Sequence, residues 1–457
     1  MEKNPIDQSK GSYPDWTSYK KIDDNYSTLE GDGLDQLMVY RKPVSDDEFS
    51  RWLGEIQDQL RAENMDTDLQ IVSMCGNCDN SLLLFTGKGA ANFISTDAAR
   101  SGNSNPAKSG VQGQSHAAYY CSNLKFQLPK QLLETNEKGG RTCDYKSSGS
   151  APVKVAVFDT GLVRQEVDLF IAPAFDSPCI REATRGWNFT VPNNEWDDDN
   201  PGQHGSTVTR FIIEEVVQQN GQSVEIIPVK VHNSEGKSDL YSILCGFAYA
   251  KSMGAKIINA SFGYYAPIRD ANDQSKDFCL TVFRKFIQDQ LTDNNILLVA
   301  AAGNLPSDNE IAEIKQVYPS LNPESRDLSI VGFYPASFAG EAELTNVIAV
   351  TSVNPGCTEV SPTQNFSSSV VDIGVQSDDA AKSEFINPRT GTLIGGSSFA
   401  TPIVTGFIAS NYTLFGNTLT KSNIINTLRQ QNGLPHLEPV PGLAAKIKDG
   451  MVLKRKN

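Results

Sequence analysis

Ser398 stands in Gly395-Gly396-Ser397-Ser398-Phe399-Ala400-Thr401-Pro402, where small residues lead into an apolar, proline-containing stretch with helical periodicity from Thr401 to Leu414. A hydroxyl at such a helix start lies among free backbone N–H groups and the positive end of the helix dipole, which favour negative charge developing beside it. A serine becomes a nucleophile when a base takes its proton and a carboxylate holds that base in the right tautomer. Both residue types lie upstream. Val153 to Phe158 reads as a buried strand ending in Asp159, after which Thr160-Gly161 let the chain turn sharply. His204-Gly205-Ser206-Thr207-Val208 puts an imidazole at the head of an amphipathic helix. Taken singly, the serine is an ordinary helix cap and the histidine an ordinary loop hydrogen-bonder. Taken together, in the order Asp159, His204, Ser398, they have the parts for acyl transfer.

That order and the motifs around it resemble the subtilisin-like (subtilase) serine peptidases. The segment Gly396 to Pro402 is similar to the family's Gly-Thr-Ser-Met-Ala-Thr/Ser-Pro, with Ser397 for Thr and Phe399 for Met. Alignment on Ala400-Thr401-Pro402 selects Ser398 as the nucleophile, with Ser397 the lesser reading. No Gly-x-Ser-x-Gly elbow occurs, which separates the chain from α/β-hydrolases. The resemblance implies that Asn304, in Ala300-Ala301-Ala302-Gly303-Asn304, donates to an oxyanion beside the Ser398 backbone N–H. Asn after Gly also reads as a plain turn residue. The resemblance further implies that Ser261, Phe262 and Gly263 form a substrate-binding strand and that Ala301, Ala302 and Gly303 face it across the pocket. Tyr334-Pro335-Ala336 resembles another family landmark, and the polar stretch from Leu305 to Gly332 lies where pocket shape is decided. The chain departs from the family at Gln203, where Gly is usual before the histidine, and at Ser206, where Thr is usual. Val208-Thr209-Arg210 likewise replaces a run of small residues. These departures bear on loop shape and helix packing.

The elements that must carry these residues follow from periodicity. Strands are predicted at 153–159, 225–231, 256–261, 296–301 and 347–352, and helices at 207–218, 240–251, 280–291 and 401–414. Alternation of short apolar runs with helices predicts an α/β fold with a mostly parallel sheet covered by helices on both faces, and sites at strand carboxyl ends. Ahead of it, strands at 37–41, 69–73 and 82–85 accompany a helix opened by a Ser45–Glu48 capping box, with Phe49, Trp52, Leu53, Ile56 and Leu60 on one face. This order resembles the first part of the small α+β propeptides that precede many subtilases. The expected organisation is a flexible arm at 1–33, an extension at 34–130 with its module core at 34–90, a linker at 131–151, and a catalytic domain at 152–457. Tyr119 to Leu128 reads as a stretch that already belongs to the catalytic domain. Thr135 to Arg141 has the composition of a nicking site.

With 40 basic against 54 acidic residues and a net charge of −14, the chain lacks the clustered cations of a nucleic-acid surface. No run approaches a membrane span, and Met1 to Asp35 has no apolar signal core, so a cytoplasmic chain is expected, with secretion the alternative if a leader preceded it. Eight scattered cysteines suggest reduced thiols. Cys75-Gly76-Asn77-Cys78, with Cys121 and Cys143, is a weak four-thiolate pattern without a second CxxC, and no metal site is assigned from it. Asp197-Asp198-Asp199-Asn200 offers oxygen ligands to a structural calcium, or forms a solvated loop, the favoured reading. The chemistry itself calls for no cofactor. The expected activity is that of a serine endopeptidase acting on protein or peptide substrates through an acyl-enzyme, regulated by the N-terminal extension as an intramolecular inhibitor. A transpeptidase or cyclase using the same residues, and a catalytically silent peptide-binding module, are the alternatives.

Overall fold

The computed structural model describes residues 35–41, 70–72, 81–87, 118–122, 125–128, 151–167, 170–176, 183–268, 278–379, 383–416, 418–430 and 437–455. The predicted arm at 1–33, the Phe49–Leu60 helix, the linker up to residue 150, Cys75, Cys78 and Cys143 lie outside them.

Four short strands come first: β1 (Asp35–Arg41), β2 (Gln70–Val72), β3 (Leu82–Gly87) and β4 (Ala118–Ser122). They pair antiparallel in the order β2-β3-β1-β4. Within Tyr119 to Leu128, β4 pairs with β1, whereas the next strand, β5 (Lys125–Gln127), pairs with a strand beyond residue 151. No local pattern marks this pairing, since β4 lies far along the chain from β1, its partner.

The second sheet is built from β6 (Val153–Asp159), which is followed by the short helix α1 (Arg164–Val167), the two-residue strand β7 (Trp187–Asn188), and α2 (His204–Gln219). Next come β8 (Val224–Lys230), β9 (Lys237–Asp239), α3 (Leu240–Ser252), β10 (Ile257–Ala260), α4 (Phe278–Gln290), β11 (Leu297–Ala301) and α5 (Asp308–Val317). The remainder comprises β12 (Val347–Val353), β13 (Ile373–Gln376), the hairpin β14 (Phe385–Ile386) and β15 (Leu393–Ile394), α6 (Ser397–Ser410), α7 (Lys421–Gln430), β16 (Leu437–Pro439) and β17 (Met451–Leu453). Nine strands share one sheet in the order β16-β17-β13-β12-β11-β10-β6-β8-β7. All neighbours are parallel except the antiparallel pair β16 and β17. The mostly parallel α/β sheet expected from the sequence is the architecture found.

Side chains alternate across a strand, so each strand of a covered sheet feeds two cores. In β6, Val155 and Val157 enter one apolar cluster with Phe211, Ile212 and Val216 of α2 and Ile403, Val404 and Phe407 of α6. Ala156 and Phe158 enter the other, with Leu244 and Phe247 of α3 and Phe283 and Phe286 of α4. Met38, Tyr40, Leu82 and Leu84 of the N-terminal sheet join this second cluster. Tyr40 packs its ring on Phe286 with centroids 5.1 Å apart and donates its hydroxyl to Asp289 at 2.7 Å. The order reverses at β6, since β8 lies on one side and β10 on the other, which is where the carboxyl ends of strands open a crevice.

One expectation about the cysteines fails. Cys245, buried in α3, is disulfide-bonded, against the reading of reduced thiols, while Cys357 is free and buried. Scatter along the chain carries no information on which thiols a fold brings together.

Candidate active site

Asp159 ends β6 and is 1% exposed. Its Oδ1 accepts the Thr160 N–H at 2.8 Å and lies 2.7 Å from His204 Nδ1. A carboxylate there calls for a proton on Nδ1 and leaves Nε2 as a lone-pair acceptor. The Nε2 atom is buried and has no hydrogen-bond partner among the described residues. His204 is the first residue of α2, and its ring packs on Phe399 with centroids 5.4 Å apart.

The start of α2 is secured from outside the helix. Gln203 occupies the N-cap but makes no side-chain cap. Thr160 Oγ1 accepts the Gly205 N–H at 3.0 Å, and Asp198 Oδ2 accepts the Ser206 N–H at 2.9 Å, satisfying two amides that a helix start leaves open. Ser206 Oγ donates to Asp198 at 2.7 Å and accepts from Val163 N at 2.9 Å, so the position uses a hydroxyl in both directions. Thr160 Oγ1 donates to the other oxygen of Asp198 at 2.8 Å. Asp198 is therefore a buried cap. The solvated-loop reading of residues 197–200 holds for the exposed Asp197 and Asp199 and fails for the buried Asp198 and Asn200, and burial pushes the Asp198 carboxyl above the usual carboxylate range against the pull of these donors. Among the described residues no group of three or more His, Cys, Asp or Glu comes together to hold a metal ion. Gly205 allows the helix to start this close to β6, since a Cβ there would meet Gly161 O at 2.3 Å and Asp159 Cβ at 2.9 Å.

Ser398 is the second residue of α6 and is 4% exposed. Its Oγ donates to Ser261 O at 2.9 Å, not to His204. Ser261 Oγ returns a bond to Ser398 O at 2.8 Å. Pro402 explains that return. Four residues on from Ser398, it has no N–H for the helical bond to the Ser398 carbonyl, which leaves that oxygen open to another donor. Ser397, the neighbour, is held from the other side: its N–H donates to Asn304 Oδ1 at 2.9 Å, and its Oγ accepts from Gly303 N at 2.9 Å. With its oxygen on Ser397, the Asn304 amide keeps its Nδ2 donors for another acceptor.

Of the two segments expected to line a pocket, one meets Ser398 through Ser261 and the other meets Ser397 through Gly303. Ser261, Phe262 and Gly263 follow β10, with Ser261 in direct contact with the nucleophile candidate. Ala301 ends β11, and Ala302 and Gly303 lead into Asn304. Asn365 pins this turn by donating its amide to Ala302 O at 2.9 Å and its backbone N–H to Gly303 O at 3.0 Å. Tyr265 adds a hydroxyl bond to Asn304 O at 2.7 Å. Gly303 has φ 93°, and a Cβ there would meet Asn365 Nδ2 at 2.7 Å.

Several residues of this site went unread in the sequence. Lys230 ends β8, is buried, and reaches the Thr160 carbonyl and, at 2.6 Å, Asp199 Oδ1. His232 is fully buried, donates its backbone N–H to Asp159 O at 3.2 Å, and meets Phe262 edge-on at 5.1 Å. Burial holds the His232 imidazole down at about 3, neutral at ordinary pH. Asn365 and Arg389 are likewise buried polar residues without any local motif.

The strand β5 pairs antiparallel with β9, Gln127 opposite Lys237 and Lys125 opposite Asp239. The buried Leu128 extends the pairing by donating its N–H to Gly236 O at 2.9 Å.

The subtilase family model matches residues 150–439. Over 116 residues the chain is 36% identical to the cell wall-associated protease of Bacillus subtilis (strain 168), a match covering 24% of this chain and 12% of that protein. The crystal structure of the epidermin leader peptide processing serine protease EpiP from Staphylococcus aureus superposes with a TM-score of 0.52 at 16% identity, covering 92% of this chain and 96% of that one. A mutant of the same protease gives 0.54 at 16% identity, covering 92% and 98%. These structures share the fold.

Proposed function

We propose that this chain, which belongs to the subtilase family and is a subtilisin-like serine peptidase, cleaves internal peptide bonds through Asp159, His204 and Ser398. The observation that carries this reading is the 2.7 Å contact of His204 Nδ1 with Asp159, which leaves Nε2 available beside the helix that bears Ser398. In the reaction, Ser398 Oγ turns from the Ser261 carbonyl to His204 Nε2 and gives up its proton as it attacks the substrate carbonyl. The oxyanion that forms takes the Ser398 backbone N–H, at the start of α6, and the Asn304 amide. The His204 imidazolium, held by ionised Asp159, protonates the leaving amine. Water then hydrolyses the acyl-enzyme by the same steps in reverse. Apart from the hydrolytic water, every polar group this route asks of the enzyme is a side chain or backbone amide of the chain, and none of its steps needs a cofactor.

The substrate binds as an extended protein or peptide segment, with Ser261 to Gly263 on one side and Ala301 to Gly303 on the other. The N-terminal extension acts as an intramolecular inhibitor until it is cut. Support for this comes from β5, which already lies on β9 as an added strand, and from Tyr40, which ties the N-terminal sheet to α4. A serine-directed phosphonate tests the central claim. It labels the wild type at Ser398 and leaves Ser398→Ala unmodified, and a wild type that resists labelling when native defeats it.

A further inference from the structure

Arg389 lies between the paired strands β14 and β15, in the hairpin that leads into Ser398, and is 5% exposed. Its Nε and Nη2 bind both oxygens of Glu166 in α1, each at 2.7 Å. The same Nη2 donates to Gln203 Oε1, and Nη1 donates to Thr207 Oγ1 at 3.3 Å. The Asn387 side chain fixes the turn by accepting the Arg389 N–H at 2.9 Å. One buried guanidinium thus touches the segment that follows Asp159, the residue immediately before His204, and the first turn of α2.

Gln203 is the telling partner. Its backbone is left-handed, with φ 47° and ψ 48°, a region that a residue with a side chain enters at a cost and glycine enters freely. The direction in which His204 leaves the chain is set by that conformation. Its own side chain makes no helix cap, and the bond to Arg389 is what anchors it.

We infer that Arg389 is a positioning residue: it joins the three segments that carry Asp159, His204 and Ser398, and holds Gln203 in the left-handed conformation that aims the His204 imidazole. This rests on the triad reading above. The planar fork is essential, because an ammonium at the same place cannot bind Glu166 in a bidentate manner and reach Gln203 as well.

The test measures kcat and KM on a tetrapeptide p-nitroanilide, per active site titrated with a serine-directed phosphonate. Arg389→Lys and Arg389→Met are expected to lower kcat about 100-fold, the scale of a small misplacement of a catalytic group, with KM changed less than about twofold. Adding Gln203→Gly to Arg389→Met recovers most of the loss, since glycine adopts the conformation unaided. Gln203→Ala, which leaves the Arg389–Glu166 pair intact, loses about tenfold in kcat on the same grounds and keeps the question open to test if the Arg389 variants fail to fold. Unchanged kcat per titrated site in Gln203→Ala, a loss confined to KM, or no recovery with glycine overturns the inference. Absence of phosphonate labelling in the wild type overturns the peptidase reading instead.

Discussion

Ser398 and Ser261 hold each other through two hydrogen bonds, hydroxyl to carbonyl in both directions, at 2.9 and 2.8 Å. The pair keeps the Ser398 hydroxyl away from His204 at rest, and it satisfies the carbonyl that Pro402 leaves open. Removing the Ser261 hydroxyl strips a buried acceptor of its donor, which costs about 1–3 kcal/mol. Ser261→Ala is expected to be destabilised by that amount in urea unfolding, with the slope of the transition unchanged. A variant as stable as the wild type contradicts the assignment of that bond.

Ser398→Ala is expected to lose at least about 10⁴-fold in kcat. Its far-ultraviolet circular dichroism stays that of the wild type, because one buried hydroxyl is lost and the helix is not. Retained turnover in a preparation free of wild type refutes Ser398 as the nucleophile.

Asn304→Leu is expected to lower kcat by roughly 100- to 1000-fold with little change in KM, a magnitude borrowed from oxyanion donors of this family. A change carried by KM alone assigns Asn304 to ground-state binding.

His232 sets an acid limit. Its folded-state value of about 3 lies below the ordinary 6.5, so its contribution to stability is fully present above pH 6.5 and is lost as pH falls through that window toward 3. Acid must place a charge in a buried site that touches Phe262 and the Asp159 backbone. Thermal unfolding followed from pH 7 to pH 4 is expected to fall less steeply in His232→Gln than in the wild type. Parallel curves for the two proteins remove His232 from the account.

Incubated wild-type protein is expected to acquire a new N-terminus between Gly87 and Pro152 and to gain peptidase activity as it does so, whereas Ser398→Ala keeps its full mass. Intact-mass spectrometry and N-terminal sequencing read both. Full activity without any cut in that interval identifies the extension as a retained domain.

The parts of the site that were legible in the sequence are those whose residue type follows from a local backbone need. Asp159 closes a buried strand, His204 and Ser398 open helices, and Pro402 and Gly205 mark places where an N–H or a Cβ is unwanted. What escaped notice is long-range. Asp198 caps a helix through space, and its run of acidic neighbours gave it the look of a wet loop. Arg389 lies far along the chain from Glu166 and Gln203, and β4 from β1. Gln203 was visible as a departure from the family, and its left-handed backbone now gives the reason glycine is usual there.

The alternation of β6 between two apolar layers has a mechanical meaning for its last residue. A slip of one position would exchange Val155 and Val157 for Ala156 and Phe158 in their respective layers and turn the terminal carboxylate to the opposite side of the sheet. The acid is thus indexed by the packing of the whole strand, and volume changes as distant as Val153 or Val155 would reach the reaction as errors of aim.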